Sequence, residues 1–134
     1  MPTITIIDDE KRSLFYHPEA RILHHKIKGE CFGSDFRDLL TKGAEWMERH
    51  RATKWLSEDR DNKIVAPEDG EWAEREWGPR VIKAGFKYWA IVVPGSAVGS
   101  LQMRRFAEEY RQRGVTVRIF DSLQAARSWL ESMP

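Results

Sequence analysis

The chain has 134 residues, 41% of them hydrophobic, with 22 Lys plus Arg against 21 Asp plus Glu and a net charge of +1. That is the size of a single domain over residues 1–134, with apolar content enough to bury a core without disulfides or metals. So even a balance creates no field that would gather nucleic acid, an anionic membrane or an acidic substrate. The lone Cys31 excludes an intramolecular disulfide framework and any multi-cysteine metal site, and is expected to be a small, half-buried thiol. The N-terminal residues lack a basic segment, and no apolar run is long enough for a signal peptide or a bilayer span. The expectation is a cytoplasmic protein without membrane insertion.

Residues 3–7 and 14–17 are short β-prone runs separated by the polar stretch 8–12, which suits a hairpin loop. Pro18 interrupts pairing. Residues 21–27 alternate Ile22, His24 and Lys26 against Leu23, His25 and Ile27, the pattern of a third strand with one face better buried than the other. Ser34 is placed as N-cap with Asp35 in the first turn, where a carboxylate meets the positive end of the helix dipole. The helix they open runs to about His50, with Phe36, Leu39, Leu40, Ala44 and Met47 in one apolar stripe. Gly43 within it costs roughly 1 kcal/mol relative to Ala, which points to close backbone packing against the sheet.

Residues 54–59 read as a weaker strand and 60–63 as the loop leaving it. Pro67 to Gly70 open a short acidic helix over 71–76; Gly78-Pro79 breaks it, and Pro79 starts a second short helix through Ala84, ended by Gly85. Residues 85–94 set aromatic and β-branched side chains between a glycine and a proline, the mark of a central strand. Tyr88, Ala90 and Val92 face one way and Trp89, Ile91 and Val93 the other, so both faces are apolar and both need covering by helices. A glycine-rich turn then leads to a helix over 100–113, stopped by Gly114, and to a strand over 116–120. Asp121 with Gln124 is placed as a capping box for the last helix. The order β-β-β-α-β-α-β-α-β-α predicts an α/β domain. Its mixed sheet of about six strands has an antiparallel meander first and parallel crossovers after.

Glu71-Trp72, Trp77-Gly78-Pro79, Lys83 through Ala90, Val93-Pro94, Phe120-Asp121-Ser122 and Ala126 with Trp129-Leu130 occur together. In these the chain resembles the SpoIIAA-like, STAS-related family of small bacterial α/β proteins, from the third strand onward. The resemblance implies a STAS-like mixed sheet and does not imply an enzyme. STAS proteins that antagonise anti-sigma factors carry a phosphorylatable serine in an Asp-Ser-Ser-Gly type motif. Its nearest counterpart here, Asp59-Arg60-Asp61-Asn62-Lys63, has no serine, so the phosphorylation switch does not carry over. The CRAL-TRIO domains, distant relatives with a similar sheet, bind lipids, but this chain lacks the length for their deep pocket.

No catalytic constellation emerges. His24 and His25 are adjacent on a strand and so face opposite sides; they cannot share a metal, and one is expected at the edge and one partly buried. His17 and His50 have no companions that make a triad, and Ser57 lacks the glycines of a nucleophile elbow. Asp59-x-Asp61-Asn62 clusters oxygens as a hard-cation site would, but Lys63-Ile64 stand where a further ligand and a glycine are needed, so a solvated loop without metal or cofactor is expected. Gly95, Ser96, Gly99 and Ser100 lie before a helix N-terminus, where free N–H groups can hold an anion, yet they lack a P-loop lysine and dinucleotide spacing. Of the six tryptophans, Trp55, Trp89 and Trp129 are placed in the core. Trp46, Trp72 and Trp77 sit on charged helices and are candidates for a partner surface, against the plainer reading that they seal the edge of a small core.

The first functional expectation is a non-catalytic STAS-like module that binds another protein, a homodimer being among the candidates. The alternative is a small apolar or phosphate-bearing ligand between the Asp59, Asp61, Asn62 loop and the Gly95, Ser96, Gly99, Ser100 turn, at the carboxyl ends of the strands.

Overall fold

The computed structural model describes residues 2–62, 64–93 and 95–134. Lys63 and Pro94, read from sequence as the ends of the acidic loop and of the central strand, lie outside them. Six strands form one sheet in chain order: β1 (Ile4–Asp8), β2 (Arg12–His17), β3 (Ile22–Ile27), β4 (Lys54–Glu58), β5 (Tyr88–Val92) and β6 (Thr116–Phe120). β1, β2 and β3 pair antiparallel, while β3 to β6 pair parallel. This is the mixed sheet the sequence predicts. β5 is an interior strand as expected, though its neighbour β6 is already the edge.

A sheet that grows in one direction through crossovers of one hand must place all of them on one face. Helix α1 (Ser34–His50), the helical segment from Pro67 to Ala84 and helix α4 (Ala97–Gln112) accordingly cover one side, over a core that includes Leu23, Ile27, Trp55, Trp89 and Ile91. The other side has only α5 (Leu123–Ser132), packed on β4, β5 and β6 over Ile22, Leu56, Ala90 and Val92. Both faces of β5 are therefore buried, as expected, but on the α5 side, among the described residues, no helix is packed on β1 or β2.

Helix α1 buries the predicted stripe. Its cap differs from the expectation: Gly33, at φ 65°, precedes the helix, and its N–H donates to the buried carboxylate of Asp69 at 2.8 Å, so Ser34 is the first helical residue. Gly43 is explained by contact, since a Cβ there would stand 2.1 Å from Cη2 of Trp55.

The segment read as two helices broken at Gly78-Pro79 is continuous. α2 (Pro67–Trp72) runs through a π-helical turn, Ala73–Trp77, into α3 (Gly78–Ala84). The wider turn lets the Gly78 N–H reach Ala73 O and relieves the crowding that Pro79 would impose on an α-helical turn. It also swings Trp77 inward. Trp77 is 7% exposed and donates its indole N–H to Leu40 O at 2.7 Å, so it is a core residue and cannot present a partner surface. Two further caps depart from the sequence reading. α4 begins at Ala97, capped by Ser96 Oγ accepting from Gly99 N–H at 3.0 Å, and α5 is capped by Ser122 Oγ on Ala125 N–H rather than by Asp121. Among the described residues no helix is long and apolar enough to cross a membrane.

Candidate functional site

The parallel register of β3 and β4 sets His25 opposite Ser57 on the helix-covered face, with Asp59 just beyond the strand. Asp59 is anchored through its N–H to Val92 O at 3.1 Å, which holds its side chain inside at 2% exposure. His25 Nε2 then lies 2.8 Å from Asp59 Oδ1, and the Trp55 indole nitrogen 3.0 Å from His25 Nδ1. An indole N–H only donates, so Nδ1 must carry a lone pair and the ring proton must sit on Nε2, donated to Asp59. Trp89 likewise donates its indole N–H to Ser57 Oγ at 2.8 Å.

Ser57, His25 and Asp59 are the residue types of a nucleophilic triad, but their wiring is different. Both nitrogens of His25 are occupied, one by the Trp55 donor and one by the Asp59 acceptor, so no lone pair is left to take a proton from Ser57. The cluster fixes polar groups in place without activating a nucleophile.

These groups form the inner end of a cavity of about 70 Å³ between the sheet, α1, the π-helical turn and α4. Its wall carries Phe36, Trp55, Trp77, Trp89, Phe106 and Tyr110. Glu74 and Glu109 lie at the outer end, where Glu74 is exposed. Burial, then the nearby charge of Glu74, pushes the Glu109 carboxyl above the usual range; burial does the same to the Tyr110 phenol. A largely apolar hollow with a few fixed polar groups is the usual form of a small-molecule site.

A second network occupies the other face. Thr3 Oγ1 lies 2.9 Å from His17 Nδ1, His17 Nε2 3.0 Å from His24 Nδ1, and His24 Nε2 2.9 Å from Glu58 Oε1. Burial holds both histidines below their ordinary value, His17 at about 4, and the His24 hydrogen bond lowers Glu58. With neutral rings the donors run one way, Thr3 to His17 to His24 to Glu58. Adjacent His24 and His25 do face opposite sides, but both are buried, against the expectation that one would sit at the edge.

Of the predicted binding residues, Asp59 and Asn62 line the cavity, which corrects their reading as a solvated loop: the anchored turn after β4 folds them in. Asp61 stays exposed. Gly95 approaches the same turn through its N–H on Arg60 O at 3.3 Å, but Gly95, Ser96, Gly99 and Ser100 do not line the cavity. The Gly99 and Ser100 N–H groups are spent on the Ser96 side chain and carbonyl, so the anion-holding turn expected there is a closed cap. Trp46 and Trp72 are half-buried; Trp46 stacks on His50 with centroids 4.9 Å apart, and Arg37 lies over Trp72. The sequence reading missed His25, Ser57 and the aromatic wall. One signal for the first was present: the doublet His24-His25 recurs 34 residues later as Glu58-Asp59, and parallel strands in register join each histidine to one acid.

No protein-family model and no curated protein matches the chain. A solved structure does: an uncharacterised protein of the DUF3478 family with a SpoIIAA-like fold, from Shewanella loihica PV-4. The two superpose with a TM-score of 0.60 over 92% of this chain and 97% of that one, at 14% identity. The chain has a SpoIIAA-like fold. At that identity the likeness concerns the scaffold. In this SpoIIAA-like chain, the cavity described above is built by its own aromatic and acidic residues.

Proposed function

We propose that this chain is a non-catalytic binding module that takes a small, mainly apolar ligand into the cavity between β3 to β5 and the helices. The observation that carries this reading is the convergence of a fixed His25–Asp59 pair and Asn62 on an otherwise aromatic hollow. Size limits the ligand. An engineered apolar cavity of about 150 Å³ accepts benzene, so about 70 Å³ suits a group of a few heavy atoms. At a ceiling of about 1.5 kcal/mol per heavy atom for tiny ligands, a four-atom group binds no tighter than about tens of micromolar. Xenon is a suitable first probe. Under xenon pressure the indole N–H signals of Trp55, Trp77 and Trp89 are expected to shift together, and Ala73→Leu, which fills the wall, to abolish the response with the fold kept. Unmoved indole signals in the parent protein would rule the reading out.

A second reading, binding of a protein partner, draws on the outer face of α4, where Val98 and Leu101 are 68% and 56% exposed. Its test is sedimentation of the parent and of Val98→Asp/Leu101→Asp. A parent that is monomeric across a wide concentration range counts against self-association.

A further inference from the structure

We infer that the ligand of this cavity is a small organic cation, a protonated alkylamine or its N-methylated form. This rests on reading the cavity as a ligand site and adds the charge of what fills it. Among the described residues every charged group on the cavity wall is acidic: Asp59 at the inner end, Glu74 and Glu109 at the outer one. Asp59 is nearly fully buried, and a buried carboxylate calls for a compensating cation or a full set of donors. His25 supplies one hydrogen bond, to Oδ1, and takes the Trp55 N–H on its other ring nitrogen. The cation nearest the outer end, Arg113, sits outside the cavity; it pairs with Glu74 at 3.8 Å and lies over the Tyr110 ring.

The aromatic wall favours the same ligand. All three indole N–H groups are tied to the protein, Trp55 to His25, Trp77 to Leu40 O and Trp89 to Ser57. The indoles therefore offer a ligand carbon surface and π electrons, not donors. Aromatic rings joined to carboxylates are what alkylammonium groups bind, since the ring quadrupole attracts the cation and the methyl groups bury against carbon. At the outer end burial, and then the charge of Glu74, raises the proton affinity of Glu109, with Arg113 acting the other way, so a cation entering there meets carboxylates that favour it. An anionic ligand would meet only acidic side chains among the charged groups of the wall, and a neutral one would draw nothing from them.

The experiment compares shape-matched ligands at constant ionic strength by the indole N–H shifts. Isopropylammonium and trimethylammonium are expected to bind at least about tenfold more tightly than 2-propanol, and isobutyrate not to bind. Asp59→Asn should remove most of that preference while keeping the xenon response. If that variant does not fold by circular dichroism, Glu74→Gln/Glu109→Gln, changed only at the outer end, should weaken the ammonium ligands several-fold with 2-propanol unchanged. A peptide carrying trimethyl-lysine, run beside free trimethylammonium, separates the two sources of the same head group; binding by either supports the cation. 2-Propanol binding as well as isopropylammonium, with xenon still shifting the indoles, overturns the cation and leaves the cavity reading intact. Loss of the xenon response itself overturns both.

Discussion

Gly43 and Trp55 make a pair in which the smallest residue exists for the sake of the largest. A methyl group at 43 would overlap the Trp55 ring, and the ring cannot swing away because its N–H is committed to His25. Gly43→Ala should therefore destabilise the fold by about 1–3 kcal/mol, despite the better helix propensity of alanine. Urea unfolding followed by circular dichroism reads this, and a change within about 0.5 kcal/mol would contradict the packing. On the opposite face, His17 is held neutral in the folded chain down to pH about 4 but titrates near 6.5 when unfolded. Between those values the unfolded state binds the extra proton, so stability is full above pH 6.5 and falls as pH drops towards 4. His17→Gln, which keeps a donor and an acceptor, should flatten the decline by on the order of 2 kcal/mol; equal slopes in parent and variant would dismiss the buried histidine as its source. Little of this was legible in sequence. Gly43 reads in sequence as a point of close packing, but its partner does not, because a residue twelve positions on reaches it only through the crossover.

At the level of elements, what could be read was what repeats. The apolar stripe of α1 and the alternation in β5 follow local periods of 3.6 and 2, and both stand in the structure. Boundaries set by a single side chain were harder to place, since Asp121 and Ser122 are both good N-cap residues and only the backbone shows which one meets a free N–H. Ser122→Ala is expected to cost about 1 kcal/mol and Asp121→Ala less than about 0.5; thermal midpoints measured side by side decide, and the reverse order would restore the sequence assignment. Trp77 illustrates the other limit. The π-helical turn Ala73–Trp77 adds a residue to one turn and rotates everything after it, so a tryptophan that a regular helix would place among charges enters the core. No local period announces such a turn.

For the whole molecule, the sequence order of elements carries the architecture, while the cavity depends on side chains from six different elements, β3, α1, β4, the π-helical turn, β5 and α4, and on the segment after β4, which no local pattern joins. The uneven layering has a measurable side. β3, β4 and β5 have neighbours on both edges, whereas β1 pairs only with β2 and is largely exposed. Amide exchange should be slowest in β3 to β5 and fastest in β1, with β1 opening well below the global unfolding free energy; protection in β1 equal to that in β4 would refute this. The strand order has a consequence for how the chain reaches this state. Because each strand docks beside the one made just before it, no strand waits for a partner made late in the chain. Folding can advance from the N-terminal hairpin outward as the chain leaves the ribosome, each new unit finding its template complete, with α5 closing the second face last.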